Sequence, residues 1–209
     1  MKRSRRGISS LFLLMVLSLS VALTACGGGE VDEVDKGTLT TAGYEEETAA
    51  ELSRLNLSEE ELAQLEIAKR GGLDGTVAVE IVKMMHDDDL KFDIGMEMQT
   101  LSGAGFSGTA LVELVKMGAV RQWEADLRVM KHAGIGEPTI LRIAERKFVD
   151  KKEDVLAGRD YQSLKALGVS DAGIEAFVKG GGDVQKLQKV QQAIQFGKSE
   201  QAALNEAGL

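Results

Sequence analysis

Hydrophobic positions follow two different rhythms along this chain. From Ile8 to Leu23 they run almost unbroken, interrupted only by Ser. From Leu52 onward they recur at helical spacing. Trp123, Leu127 and Met130 lie at i, i+4 and i+7, and Val184, Leu187 and Val190 at i, i+3 and i+6. Each set predicts a helix with one packed face and one solvated face. Ala110-Leu111-Val112 with Leu114, Val115 and Met117 is apolar nearly all round and predicts a central, buried helix. Sustained alternation of Val, Thr and Tyr is absent, so no strands are expected. Pro138 is the single proline, and most glycines fall between the periodic blocks, where helices stop.

The blocks repeat. Leu73-Asp-Gly-Thr-Val-Ala-Val-Glu-Ile-Val-Lys-Met84 is echoed by Phe106-Ser-Gly-Thr-Ala-Leu-Val-Glu-Leu-Val-Lys-Met117, with weaker copies from Ile135 and Val169. A small or apolar residue, a glycine and an apolar residue precede or close each copy: Ala104-Gly105-Phe106, Ala133-Gly134-Ile135, Leu167-Gly168-Val169 and Ala207-Gly208-Leu209. Left-handed backbone suits glycine, so these triplets are expected to end helices. Ser107 and Ser170 are placed as N-caps, as is Ser58 with Glu61 three residues on, the pattern of a capping box; Asp74 or Thr76 serves in the first copy. The expected units are 73–105, 106–134, 135–168 and 169–208, after a half-unit at 52–72. Single hairpins cannot bury their apolar faces alone. The expected class is therefore all-α, with degenerate helical-hairpin repeats packed as a compact curved bundle or short α-solenoid over 52–209. The uneven unit lengths speak against a long regular array.

The N-terminal run is expected to stand outside this fold. Lys2, Arg3, Arg5 and Arg6, without an acid, precede the apolar stretch. A basic segment followed by an apolar one is the layout of a secretory signal peptide, and the stretch is short of the roughly 20 apolar residues of a spanning helix. It closes on Leu23-Thr24-Ala25-Cys26. This resembles the lipobox of bacterial lipoproteins: an aliphatic residue, two small residues, then the cysteine. The resemblance covers residues 1–26. It implies cleavage between Ala25 and Cys26, thioether lipidation of Cys26 and N-acylation such as palmitoylation, so that the lipid bilayer is a partner through the Cys26 anchor. More than one acyl chain gives stable attachment. Cys26 is the chain's single cysteine, which excludes an internal disulfide. Ser4-Arg5-Arg6-Gly7-Ile8 resembles the start of a twin-arginine export signal, but Ser9-Ser10 follow where Leu-Lys is expected, and general secretion is the expected route. Residues 26–51, opening on Cys26 and three glycines and rich in acids, are expected to be a flexible linker. The location expected is extracytoplasmic, on the periplasmic face or cell surface. Gly27 stands where an inner-membrane retention aspartate would, which implies the outer membrane in an organism that has one.

Charge narrows the partners. The signal holds four of 25 basic residues and none of 33 acidic ones, so the processed chain would carry a net −12. That opposes binding to phosphate backbones and anionic headgroups. His86-Asp87-Asp88-Asp89 is the one cluster with metal-ligand atoms, though without EF-hand spacing. His132 sits where a helix C-terminus is expected. Gly134-Ile135-Gly136, followed by Ile140, Leu141 and Ile143, is similar to the turn of helix-hairpin-helix DNA-binding modules, which offers amides to a phosphate; the other copies have Ser in place of the second glycine. Trp123 and the methionines Met84, Met85, Met96, Met98, Met117 and Met130 are expected to fill the core or an adaptable groove. No catalytic constellation and no cofactor motif stands out, and nucleic acid is an unfavoured partner. The expectation is a non-enzymatic binding or scaffold module whose partner is another envelope protein. The alternatives are a metal-dependent protein or enzyme using the His86–Asp89 turn and an extracytoplasmic nucleic-acid binder using Gly134–Gly136.

Overall fold

A computed structural model describes residues 36–209; the expected signal peptide and Cys26 lie outside the described residues. These residues form twelve helices and no strand. In chain order they are α1 (Lys36–Thr41), α2 (Glu46–Ser53), α3 (Glu59–Arg70), α4 (Gly75–Asp87), α5 (Gly95–Gly103) and α6 (Gly108–Lys116). There follow α7 (Ala119–His132), α8 (Glu137–Phe148), α9 (Gly158–Ala166), α10 (Asp171–Lys179), α11 (Val184–Gln195) and α12 (Glu200–Glu206). The even-numbered helices pack each on the next in one row. Helices α3, α5, α7, α9 and α11 make a second row. Between the rows lies one apolar core, in which Leu52, Leu65, Ile81, Leu114, Leu127, Ile143, Leu164, Phe177 and Val190 are wholly buried. The all-α repeat expectation is thus met.

Glycines set the repeat. Gly43, Gly72, Gly105, Gly134, Gly168 and Gly197 all have φ between +80° and +92°. At each, the chain closes on the preceding helix through a paired set of bonds. The Ile135 N–H donates to the Met130 carbonyl at 3.2 Å and the Gly134 N–H to the Lys131 carbonyl at 3.0 Å, which satisfies carbonyls the helix leaves open. Helices joined by these glycines touch, as do α6 and α7 across Gly118, whereas those flanking the longer connectors, α4–α5 and α8–α9, do not. The glycine is therefore the apex of a hairpin, not the border between two. Counted from apex to apex there are six hairpins among the described residues, α1–α2 to α11–α12, where the expected units were drawn from glycine to glycine; the last of those, 169–208, holds α10 and the whole of α11–α12.

The spacing also corrects the expectation of irregular drift. The steps from Gly43 to Gly72, Gly105 to Gly134 and Gly168 to Gly197 are equal in length, and the two steps between them are both longer. Short and long steps thus alternate, and the true period is a pair of hairpins. The other helix ends obey it: Asn56, Gly118 and Gly181 (φ 51°, 70° and 68°) follow α2, α6 and α10, while Asp89 and Lys151 (φ 55° and 53°) follow α4 and α8.

Three further expectations change. Residues 36–53, taken as mostly linker, form α1 and α2, and Leu39, Tyr44, Ala49 and Leu52 are buried. Their acids and most of their threonines sit on the outer face of an amphipathic pair, which hid the pattern. The first helix of each copy is not buried all round: Lys83 of α4 and Lys116 of α6 are about half exposed. Each even-numbered helix needs an outer face because its row has only one neighbouring layer. Val184 is 55% exposed although Leu187 and Val190 pack, because it starts α11, a turn ahead of the packed stretch.

Candidate functional site

The clustered side chains named by the sequence do not converge. His86 lies with Nε2 at 2.9 Å from Glu61 of α3, while Asp87, Asp88 and Asp89 are exposed. Asp89 holds the left-handed position that follows α4, with its N–H on the His86 carbonyl. The run is a helix terminus, and among the described residues no group of three or more His, Cys, Asp or Glu side chains is placed to hold a metal. Glu61, 6% exposed, is instead a structural node. It accepts from the Ser58 N–H and hydroxyl, completing the expected capping box, and from the Phe92 N–H as well as meeting His86. Burial pushes its carboxyl up, but the hydrogen bonds from Ser58, Phe92 and His86 together hold it below the ordinary carboxylate value. All four lone-pair directions are taken, so no acceptor is left for a substrate.

The Gly134–Gly136 turn is engaged as well. The Gly136 N–H, the amide that a phosphate would need, donates to Asp171 of α10 at 2.8 Å. The same arrangement recurs along the row. The Ser107 N–H and hydroxyl donate to Glu137 of α8 at 3.0 and 2.6 Å, and those of Ser170 donate to Glu200 of α12 at 2.9 and 2.7 Å. In each case the first helical residue of one even helix caps the N-terminus of the even helix before it. Burial raises Glu137 and Asp171, but hydrogen bonds from Lys131 and Ser107 to the first, and from Lys165 and Gly136 to the second, leave both lowered. A nucleic-acid phosphate arriving here would meet carboxylates. His132 is exposed on the last turn of α7. Trp123 is 4% exposed, with its ring edge-on to Phe148 at 5.8 Å, as expected of a packing residue.

Open surface lies between successive even helices. A depression of about 240 Å³ lies between α4 and α6, floored by Met84, Met85, Ile94, Val115 and Val120, with Leu90 on its rim. A second lies between α6 and α8, where Met117, Pro138, Leu141 and Val149 share the lining with Glu113, Lys116, Arg142 and Glu145. A third, between α8 and α10, is mainly ionic: Arg142, Arg146, Lys179, Glu145, Asp150 and Glu175 surround Ile143 and Val178. Lys116 belongs to the first two and Arg142 and Glu145 to the last two, so charged ridges separate depressions set one helix apart. Leu90 and Val149, each 56% exposed, are two of the few large apolar side chains left in the open.

No protein-family model, curated protein or solved structure matches the chain. Of the methionines expected in the core or a groove, Met84, Met85 and Met117 meet at the depressions. Met85 is nearly buried, while Met84 and Met117 are half-buried. Met98 and Met130 are wholly buried, and Met96 is exposed elsewhere. The sequence did not single out Leu90, Val149, Glu145 or Asp150. The signal available for Leu90 and Val149 was an apolar residue just past the end of an even helix, where a soluble turn is normally polar; Glu145 and Asp150 gave none.

Proposed function

We propose that this chain is a non-enzymatic binding or scaffold module of the cell envelope. It is held to a membrane by lipidated Cys26 and docks another envelope protein along the outer edge of its even-numbered helices. The observation that carries the docking is the row of depressions one helix apart, two of them apolar-floored and methionine-lined, with Leu90 and Val149 exposed beside them. Methionine suits surfaces that adapt to a partner, and the extended surfaces of helical repeats are a common place for such binding. The anchor rests on the lipobox-like Leu23-Thr24-Ala25-Cys26.

Two experiments test this reading in cells. Cys26→Ser is expected to move the protein from the membrane fraction to the soluble fraction; retention on the membrane overturns the anchor. A photocrosslinking residue at Leu90 or at Val149 is expected to give one and the same adduct, absent when it stands at exposed Gln192 of α11. Equal labelling from all three positions overturns the docking edge.

A further inference from the structure

We propose that the α1–α2 hairpin is a strap, which swings off the rest of the fold as one unit about Asn56 while α3 to α12 stay folded. This goes beyond the docking reading and does not rest on it.

Successive hairpins are held to one another unequally. From α4 onward each even helix packs on the even helix before it, and from α5 onward each odd helix packs on the odd helix before it. Every later junction therefore has a seam in both rows. The first has a seam in one row alone: α2 packs on α4, but α1 does not touch α3 among the described residues. Between α1 and α3 lies an open cleft of about 610 Å³, lined by Gly37, Thr38, Thr41, Ala42 and Glu66. Its lining is small or polar, so water fills it at little cost.

The ties that hold the hairpin closed are few. The Lys69 ammonium, on the last turn of α3, donates to the Ala42 carbonyl at 3.0 Å and stands 4.3 Å over the Tyr44 ring. Lys83 reaches Glu51 at 3.4 Å, but both side chains are about half exposed, where water screens such a pair. One buried group works against closure. The Tyr44 hydroxyl has no hydrogen-bond partner among the described residues, although the side chain is 6% exposed. A buried hydroxyl without a partner is costly, and opening returns it to water.

The body does not need the strap in order to end cleanly. Helices α2 and α3 do not touch, and the connector between them carries Asn56 at a φ of 51°. Beyond it, the Ser58–Glu61 capping box closes the start of α3 from within α3 itself. A few residues between two such units are enough to absorb a hinge motion. In a chain anchored at Cys26, ten residues before α1, a pull from the membrane reaches this hairpin first.

Hydrogen exchange of the full chain in detergent micelles, read by mass spectrometry, tests the strap. Amides of residues 39–53 are expected to exchange about tenfold faster than those of α11 and α12, the hairpin at the other end of the described rows, which has a seam in both. Lys69→Met is expected to speed exchange in 39–53 by about tenfold more and to leave α5–α12 unchanged. Tyr44→Phe, which removes the unpaired hydroxyl, is expected to slow it. Equal exchange in the two end hairpins overturns the strap. So does a Lys69→Met effect that is absent or reaches α5–α12, or faster exchange on Tyr44→Phe. If the hairpin opens as expected but Cys26→Ser leaves the protein on the membrane, the strap stands and its part under tension falls with the anchor.

Discussion

At Glu61 one carboxylate ties α3, α4 and the connector before α5 together through Ser58, His86 and the Phe92 amide. Replacing it by Gln leaves buried donors facing an amide and is expected to cost about 2–3 kcal/mol, measured by urea unfolding at pH 7. The sign of its pH dependence follows from its lowered pKa. With Glu137 and Asp171, it contributes stability that is present above the unfolded carboxylate value and lost as pH falls through the folded ones. The wild type should therefore weaken below about pH 4, and Glu61→Gln should flatten that slope. An unchanged slope would show that this carboxylate is not held low. Glycines divide into two kinds at the same scale. A methyl at Gly134 meets open space, and Gly134→Ala should cost about 1–2 kcal/mol from its φ of +80° alone. At Gly95, the Cβ would lie 2.2 Å from the Gln64 carbonyl oxygen, and Gly95→Ala should force α3 and α5 apart at the upper end of about 1–3 kcal/mol. The first kind was legible in the sequence because the backbone demands it locally. The second was not, because Gln64 belongs to the preceding hairpin and only packing brings it near.

Helix by helix, the capping ladder links even-numbered neighbours without help from the core. Ser107 and Glu137 belong to different hairpins, so a double-mutant cycle of Ser107→Ala and Glu137→Ala is expected to show a coupling of about 1 kcal/mol in urea unfolding. Additive single effects would mean that water replaces the rung at no cost. Nearer the N-terminus the same helix position is glycine rather than an acid. Gly108 approaches Val77 so closely that a Cβ would come within 2.6 Å, and Gly75 faces Thr48. Thus α2, α4 and α6 meet where a glycine takes the side chain of the even helix before it, and α6, α8, α10 and α12 are joined by carboxylates. The helices from α3 to α11 and the caps Ser58, Ser107 and Ser170 were readable, with Asp74 one of two candidates, since they depend on neighbours within one helical turn. The rungs were not, because each carboxylate sits a whole hairpin further along the chain than the amide it caps. Helices α1 and α2 escaped because two short helices with acids and threonines outward look like linker. The hairpin apex Gly197 escaped because Lys198 replaces the apolar residue that follows the others.

For the molecule as a whole, class and repetition were legible, while the phase of the repeat was not. A glycine marks where a helix stops, but which two helices it joins face to face is decided by packing. The depressions were likewise beyond the sequence, since each is walled by helices from two successive hairpins. Caps, core and ladder leave the depressions between the even helices open among the described residues, and the proposed docking there is what the crosslinking comparison of Leu90 and Val149 with Gln192 tests at the scale of the whole molecule.

The two-hairpin period also dictates which changes in length this architecture tolerates. Removing residues 73–134 joins Gly72 to Ile135, two positions in the same phase, and brings Gln64 opposite Gly158, the glycine whose amide Asp126 now receives. Excising a single hairpin's length, residues 106–134, leaves two long connectors in succession where a short one should alternate. The longer deletion should leave a shorter protein that still unfolds in one sharp transition, and the smaller one should not. Length in this architecture would then change by hairpin pairs, like adding whole links to a chain rather than filing one down.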